Sequence, residues 1–459
     1  MQPDQAEQSA GKQPATYAEV LEELFGLRRF GVKLDLTGPK RVLGQLGDPH
    51  LAYPVLHLAG TNGKGSTCAF AESILRRAGL RTGLFTSPHL NRFTERIQVA
   101  GRQIPEQDVV RLFNLVSEVG PHLTFFERTA LMAFQWFAEQ RVDVAVVEVG
   151  LGGRLDVTNL VQSEVSVICQ IALDHGAYLG NDLERIAWEK GGILQAGRPT
   201  ILCPGPRPGP RRVLADLASA LACPVTWVPD QVSIQDEPGG GLRLLRQGAS
   251  IDLAGLGLAG PHQRLNAAAA AAAVLELGPR IGRSDLSDFV SQGLEDTRWP
   301  GRFEQVTTAK GRRFVLDAAH NPAGMQALLE AVSDLQYARL IVVAGSMFDK
   351  DVRALLSPLV ARAHQVLFTK ASYYRAADPN RLAALFPQDS LRIATFPDVS
   401  EALEKAQDMA SAEDLVLVTG SVFLLGEVRH WLVGARSDPF QVTDPLAQTR
   451  YLGNPLDKN

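Results

Sequence analysis

The chain has 459 residues, 45% of them apolar and 21% charged, which suits a globular protein of about two or three domains rather than one core. Its formal charge of -4 comes from 46 basic and 50 acidic side chains, so no global field holds nucleic acid and an anionic ligand has to be gripped locally. The apolar run Leu265 to Leu277 is alanine-rich, interrupted by Asn266 and Glu276, and too short to span a bilayer. The polar start, MQPDQAEQSAGKQ, lacks the apolar centre of a secretory signal. Cys68, Cys169, Cys203 and Cys223 form no CxxC pair and read as small buried hydrophobes in a reducing compartment. The expectation is a cytoplasmic protein with no membrane or nucleic-acid partner.

Residues 1–16 read as a flexible lead-in, and a helical pattern runs from Tyr17 to Phe30. Pro54 to Ala59 is a short apolar strand, Ser66 to Ala78 is helical up to Gly79, and Arg81 to Thr86 is extended. Helices are expected at Pro105 to Val119 and Glu127 to Gln140. Asp143 to Val149 and Val165 to Ala172 are apolar enough for parallel strands buried on both faces. This alternation predicts a doubly wound α/β sheet. A helix near Arg211 to Leu221 follows the Pro204 to Pro210 stretch. Glycine-broken segments from Gln231 to Ala259 predict a small antiparallel patch at the sheet edge. Gln263 to Leu277 is a helix of high propensity. Trp299-Pro300-Gly301-Arg302 is the expected hinge, after which strands recur near Phe314 to Leu316, Leu340 to Ala344, Gln365 to Thr369, Leu391 to Ala394 and Leu415 to Val418. The organisation read from this is a nucleotide-binding domain over 17–300, a Rossmann-like α/β domain over 301–436 and a tail over 437–459.

The strongest local signal is Gly60-Thr61-Asn62-Gly63-Lys64-Gly65-Ser66, directly after a strand and before a helix. Glycines let the backbone wrap closely round phosphates, its N–H groups point inward and the helix N-terminus adds positive potential. Lys64 would meet the β- and γ-phosphates of ATP. The loop departs from G-x-x-x-x-G-K-[ST] in two places: Leu58 stands for the first glycine, and Gly65 separates Lys64 from Ser66. That counts against an ordinary GTPase or motor ATPase.

In this form the loop resembles that of the Mur ligase superfamily, and specifically of the folylpolyglutamate synthase/dihydrofolate synthase family. The resemblance continues in order through Thr86-Ser87-Pro88-His89-Leu90, Glu95-Arg96-Ile97, Thr124-Phe125-Phe126-Glu127, Glu148 to Asp156, Leu173-Asp174-His175, Glu189-Lys190, Pro300 to Phe303 and Asp317 to Pro322. It implies an ATP-dependent carboxylate-amine ligase: L-glutamate is joined to the carboxylate of dihydropteroate, to the γ-carboxylate of a reduced folate, or to both, through an acyl phosphate. It also implies Mg²⁺ held by Ser87, Glu148 and His175. Glu148 ends an apolar strand, where α/β sheets place ligands, and Mg²⁺ prefers oxygen; a capping role is the alternative. Histidine is an unusual ligand for so hard a cation, so His175 read from chemistry alone is as readily a satisfied polar residue.

Lys190, in DLERIAWEKGGI, reads by itself as a solvated lysine near a helix C-terminus. The resemblance implies a carbamylated lysine supporting a second Mg²⁺, with Gly191 in place of the usual alanine. Asn266, Arg302 and Asp317 match ATP-contacting positions, although Asn266 also suits a helix cap. His320 is expected to orient glutamate or the ribose; Asp349-Lys350-Asp351 and Thr419-Gly420-Ser421 are weaker candidates for the amino acid. Thr124, Phe125, Phe126, Glu127, Leu155, Asp156 and Val157 match pterin-binding positions, though a bare aromatic pair such as Phe125-Phe126 is more often core than a ligand platform. The favoured reading is a monomeric bifunctional enzyme. A monofunctional folylpolyglutamate synthase is the alternative. A cell-wall Mur ligase would normally carry an extra N-terminal domain, and about 54 residues precede the first strand here. A non-ligating ATPase module would turn over ATP without an amino acid.

Overall fold

The computed structural model describes residues 14–27, 35–174, 180, 182–237, 240–348 and 350–438. Its first strands, rich in β-branched and apolar residues except for the short β4, are β1 (Val55–Ala59), β2 (Thr82–Phe85), β3 (Ile97–Val99), β4 (Arg102–Gln103), β5 (Val144–Glu148), β6 (Ser163–Ile168), β7 (Thr200–Leu202) and β8 (Val225–Trp227). They form one sheet in the order β4-β3-β2-β5-β1-β6-β7-β8. It is parallel from β2 to β8, with β3 and β4 added antiparallel at one end. Val55, Ala145 and Val147 face the helices Glu106–Val119 and Phe125–Glu139. Leu56, Leu58, Val144 and Val146 face the helices Lys64–Arg77 and Pro261–Leu277. Coverage on both faces is what the near-continuous apolar character of these strands requires.

A separate three-stranded antiparallel sheet holds β9 (Val232–Asp236), β10 (Leu242–Arg246) and β11 (Ala249–Leu253). The expected edge position is therefore corrected: β8 ends the main sheet, and Val232, Ile234 and Leu244 join the core around the alanine helix. That helix, Pro261–Leu277, buries seven consecutive alanines, Ala267 to Ala273, because only a methyl side chain permits so close an approach to its neighbours.

The second large sheet contains β12 (Glu304–Thr307), β13 (Arg313–Leu316), β14 (Leu340–Ala344), β15 (Gln365–Phe368), β16 (Ile393–Thr395) and β17 (Leu415–Thr419), in the order β12-β13-β17-β14-β15-β16. Only β12 runs antiparallel to its neighbour. The helices Pro322–Ser333 and Val352–Arg362 cover one face and Val399–Met409 and Val422–Val433 the other.

Two crossings join the lobes. One is the segment 299–303. At the other, the chain returns after Val433 and inserts Asp438 into the first lobe: the Tyr17 hydroxyl donates to Oδ2 at 2.9 Å, the Phe93 N–H donates to it at 2.6 Å, and Arg92 Nε lies 3.5 Å from Oδ1. Asn91 Nδ2 adds bonds to Ser437 Oγ and the Gly426 carbonyl. Burial first, and the Asp438 charge second, push the Tyr17 phenol far above its ordinary range. Residues 439–459, the greater part of the expected tail, lie outside the described residues. The first helix ends at Gly26, short of the expected Phe30, and residues 28–34 are likewise outside. No helix among the described residues is long and apolar enough to cross a membrane.

Candidate active site

The phosphate-loop sequence turns from β1 directly into the helix Lys64–Arg77, which starts two residues earlier than expected. Two of its glycines are required by space. A Cβ on Gly60 would lie 2.6 Å from Cys169 Cβ, and one on Gly63, whose φ is +87°, would collide with Asn266 Oδ1. The Thr61 and Asn62 N–H groups donate to the Gln170 carbonyl at 2.7 and 3.3 Å, and Thr61 Oγ1 donates to Ala172 O at 3.0 Å, pinning the loop to the end of β6. The first N–H groups of the following helix have no intrahelical partner and form the anion-ready end. Gly65 faces the Trp299 indole, so the hinge touches the loop.

Strand pairing brings two of the metal candidates together. Phe85 on β2 registers with Val147 on β5, which sets Ser87 beside Glu148. The Ser87 N–H donates to Glu148 Oε2 at 2.9 Å, and Lys64 Nζ lies 4.0 Å from Oε1. Burial raises the Glu148 pKa, opposed first by Lys64 and then by the Ser87 bond and the charges of Arg302 and Arg96. A buried carboxylate facing a lysine across a phosphate loop, with a serine next to it in space, offers oxygen donors of the kind Mg²⁺ takes. His175 lies outside the described residues, among which no group of three His, Cys, Asp or Glu side chains is placed to hold a metal.

Lys190 is 5% exposed, not solvated, and its Nζ donates to the Gly60 carbonyl at 2.8 Å. Gly153 permits this, since a Cβ there would press on the Glu189 and Lys190 carbonyls. Burial, then the nearby Lys64 charge, lowers the Lys190 pKa from 10.5 to about 7.

Asn266 donates to Gln263 Oε1 at 2.9 Å, leaving Oδ1 towards Gly63. Arg302 is half-buried, its Nη1 3.5 Å from the Gly301 carbonyl. Asp317 is committed to backbone: its oxygens accept from the Phe303 and Ala319 N–H groups, both at 2.9 Å. His320 Nδ1 contacts the Ala318 carbonyl and its Nε2 lies 3.2 Å from Asp174. Lys350 also reaches Asp174, and Asn321 donates to it at 3.1 Å. Asp174, in a block quoted above but given no task there, thus gathers three side chains of the second lobe. Among the weaker candidates, Asp351 and Ser421 cap helices, Thr419 donates to the Ala319 carbonyl, and Asp349 is outside the described residues.

The pterin candidates flank one another. Thr124 and Glu127 form a reciprocal capping box for the helix Phe125–Glu139. Phe126 packs on Phe85 and over Gly150, and Phe125 tilts against Phe25 beneath the Arg96 guanidinium. Asp156 accepts from Leu151 and Thr158, Val157 is buried, and Leu155 lines a cleft of about 560 Å³ with Asp35, Leu36, Thr37, Lys40 and Arg41. Thr124, Glu127 and Asp156 thus make structural hydrogen bonds, while Phe125, Phe126 and Leu155 are half-buried.

Residues 301–422 match the family model described as Mur ligase, glutamate ligase domain. The chain is 32% identical over 433 residues to the dihydrofolate synthase/folylpolyglutamate synthase of Bacillus subtilis, covering 91% of this chain and 99% of that one. It belongs to the folylpolyglutamate synthase/dihydrofolate synthase family. A family member from Haloferax volcanii, a probable bifunctional folylpolyglutamate synthase/dihydropteroate synthase, is 33% identical across 90% of this chain, which spans about half the length of that relative. The solved Escherichia coli FolC, in complex with DHPP and ADP, superposes with a TM-score of 0.82 at 31% identity, covering 92% of this chain and 98% of that one. The family's α/β architecture, with a Rossmann-like second lobe, is the one described above.

Proposed function

We propose that the chain is an ATP-dependent ligase that joins the amine of L-glutamate to the carboxylate of dihydropteroate and to the γ-carboxylate of a reduced folate. The observation that carries the reading is the Lys64–Glu148–Ser87 group at the strand ends, with the Arg302 charge near enough to favour the ionised Glu148. In this reading 17–300 binds ATP and pterin, and 301–436 binds glutamate.

The substrate carboxylate is itself the nucleophile, attacking the γ-phosphorus of ATP as the bond to ADP breaks and yielding an acyl phosphate. The protein supplies positioning and charge: the phosphate-loop N–H groups and Lys64 hold the β- and γ-phosphates, and Arg302 neutralises the transferring group. Ser87, Glu148 and His175 would hold Mg²⁺, which when bound screens phosphate charge. The glutamate amine then attacks the acyl carbon, phosphate leaves and the amine loses a proton; docking of the lobes at 299–303 keeps water from the acyl phosphate. His320, which faces Asp174, orients the incoming glutamate.

Lys190 fits carbamylation. A pKa of about 7 leaves free amine at neutral pH, which adds to CO₂ and releases one proton to give an anion beside the phosphate loop, suited to a second Mg²⁺. An intact ammonium in a well-resolved map of untreated protein would sink this assignment.

Purified protein should consume ATP with glutamate plus dihydropteroate and with glutamate plus tetrahydrofolate. Turnover with tetrahydrofolate alone makes it monofunctional; activity with neither, or ATP turnover indifferent to glutamate, overturns the proposal.

A further inference from the structure

Asn321 stands where the lobes meet, and the reaction above gives it no task. It caps the helix Pro322–Ser333 and is 3% exposed. A carboxamide offers two N–H donors and two lone pairs. Its Oδ1 accepts from the Gly324 N–H at 2.8 Å and from Asn62 Nδ2 at 3.2 Å, while its Nδ2 donates to Asn62 Oδ1 at 2.8 Å and to Asp174 Oδ2 at 3.1 Å. Three of these four bonds cross to the first lobe.

Capping alone does not call for this residue. A serine or aspartate oxygen accepts from a helix N–H as well as asparagine does, and the two N–H donors of Asn321 contribute nothing to the cap. They serve the other lobe. Asn62 is part of the phosphate loop, and its Nδ2 is also 3.2 Å from Gln170 Oε1. The loop is therefore fixed to β6 on one side and to the second lobe on the other.

We infer that Asn321 is a positioning residue that registers the second lobe against the phosphate loop through its reciprocal amide pair with Asn62. Because Asn321 is tied to its own helix by the cap, a shift of about an ångström between the lobes breaks the pair, and misplacement of that size in a reacting assembly costs on the order of a hundred-fold in rate. The pair acts when the lobes are docked for transfer. Nucleotide held by loop backbone alone is indifferent to it.

The inference rests on the ATP-ligase reading. The test compares full-length wild type with Asn321→Ser, Asn321→Asp, Asn62→Ala and the double variant Asn62→Ala/Asn321→Ser. Both position-321 variants keep a capping oxygen, and the serine variant puts no second carboxylate beside Asp174. The expected result is a kcat roughly ten- to a hundred-fold lower in both. KM for ATP and the calorimetric affinity for ADP should stay within about two-fold, with the thermal midpoint kept. The Asn321→Ser loss should largely vanish when Asn62 is already alanine. A wild-type kcat in Asn321→Ser, a loss confined to KM, a fall in midpoint that accounts for the loss, or additive effects in the cycle would each overturn it. A wild-type chain with no glutamate-dependent turnover would instead fail the ligase reading, before any variant is compared.

Discussion

After β1 the chain enters its helix through Gly60, Gly63 and Gly65; after β13 it enters the helix Pro322–Ser333 through Asp317, His320 and Asn321. Both turns sit at the carboxyl ends of parallel strands, where such sheets hold ligands. The first has removed side chains so that backbone can approach an anion. The second has added them: Asp317 holds the Phe303 and Ala319 N–H groups, while His320 and Asn321 reach Asp174 and Asn62 of the first lobe as well as backbone of their own. The same place in the fold thus serves reception in one lobe and alignment in the other. Loss of chemistry and loss of stability should therefore separate between Lys64 in the first turn and Asp317 in the second.

The largest effect belongs to the first turn. Lys64→Ala should lower kcat by roughly a thousand-fold, equivalent to about 4 kcal/mol, with a thermal midpoint near that of wild type; a midpoint that falls with activity would erase the contrast. Lys190→Ala should cost roughly a hundred-fold, with partial recovery on adding acetate. The sign of the pH dependence follows from the lowered pKa: below about 7 the amine is protonated and does not add CO₂, so bicarbonate-stimulated activity should fall as pH drops through that value. Activity indifferent to bicarbonate from pH 6 to 8 would contradict it. Asp317→Asn, in the second turn, leaves one of two backbone N–H groups short of an acceptor and should lose about 1–3 kcal/mol of stability in denaturant titration. If kcat instead fell a thousand-fold at unchanged stability, Asp317 would belong with the receiving groups. Thr124→Ala removes one oxygen of a capping box and should cost about 1 kcal/mol, measured by the same titration.

How far the sequence discloses this depends on where the information sits. Buried parallel strands such as β5 and β14 are continuous apolar runs and were legible. β12 (EQVT) and β4 (RQ) carry no such signature, because each is an exposed or half-exposed edge whose existence depends on its partner. The helix Thr37–Gln45 carries Gly38, Pro39 and Gly44, which mask its helical pattern, yet its Pro39, Val42 and Leu43 are buried where it packs on the helices Glu106–Val119 and Phe125–Glu139. At the site, the phosphate loop announces itself within seven residues. Thr124, Glu127 and Asp156 also form caps and turns, which matching them to ligand-binding blocks does not reveal. The Asn62–Asn321 pair spans 259 positions, and no local pattern points from one amide to the other.

The return of the chain at Asp438 has a mechanical meaning. A body joined to another at a single point can swivel in any direction; joined at two, it turns about the line between them, as a door does on two pins. The segment 299–303 is one such join and Asp438, seated among Tyr17, Arg92 and Phe93, is another, so a swivel about either point alone is restrained by the other.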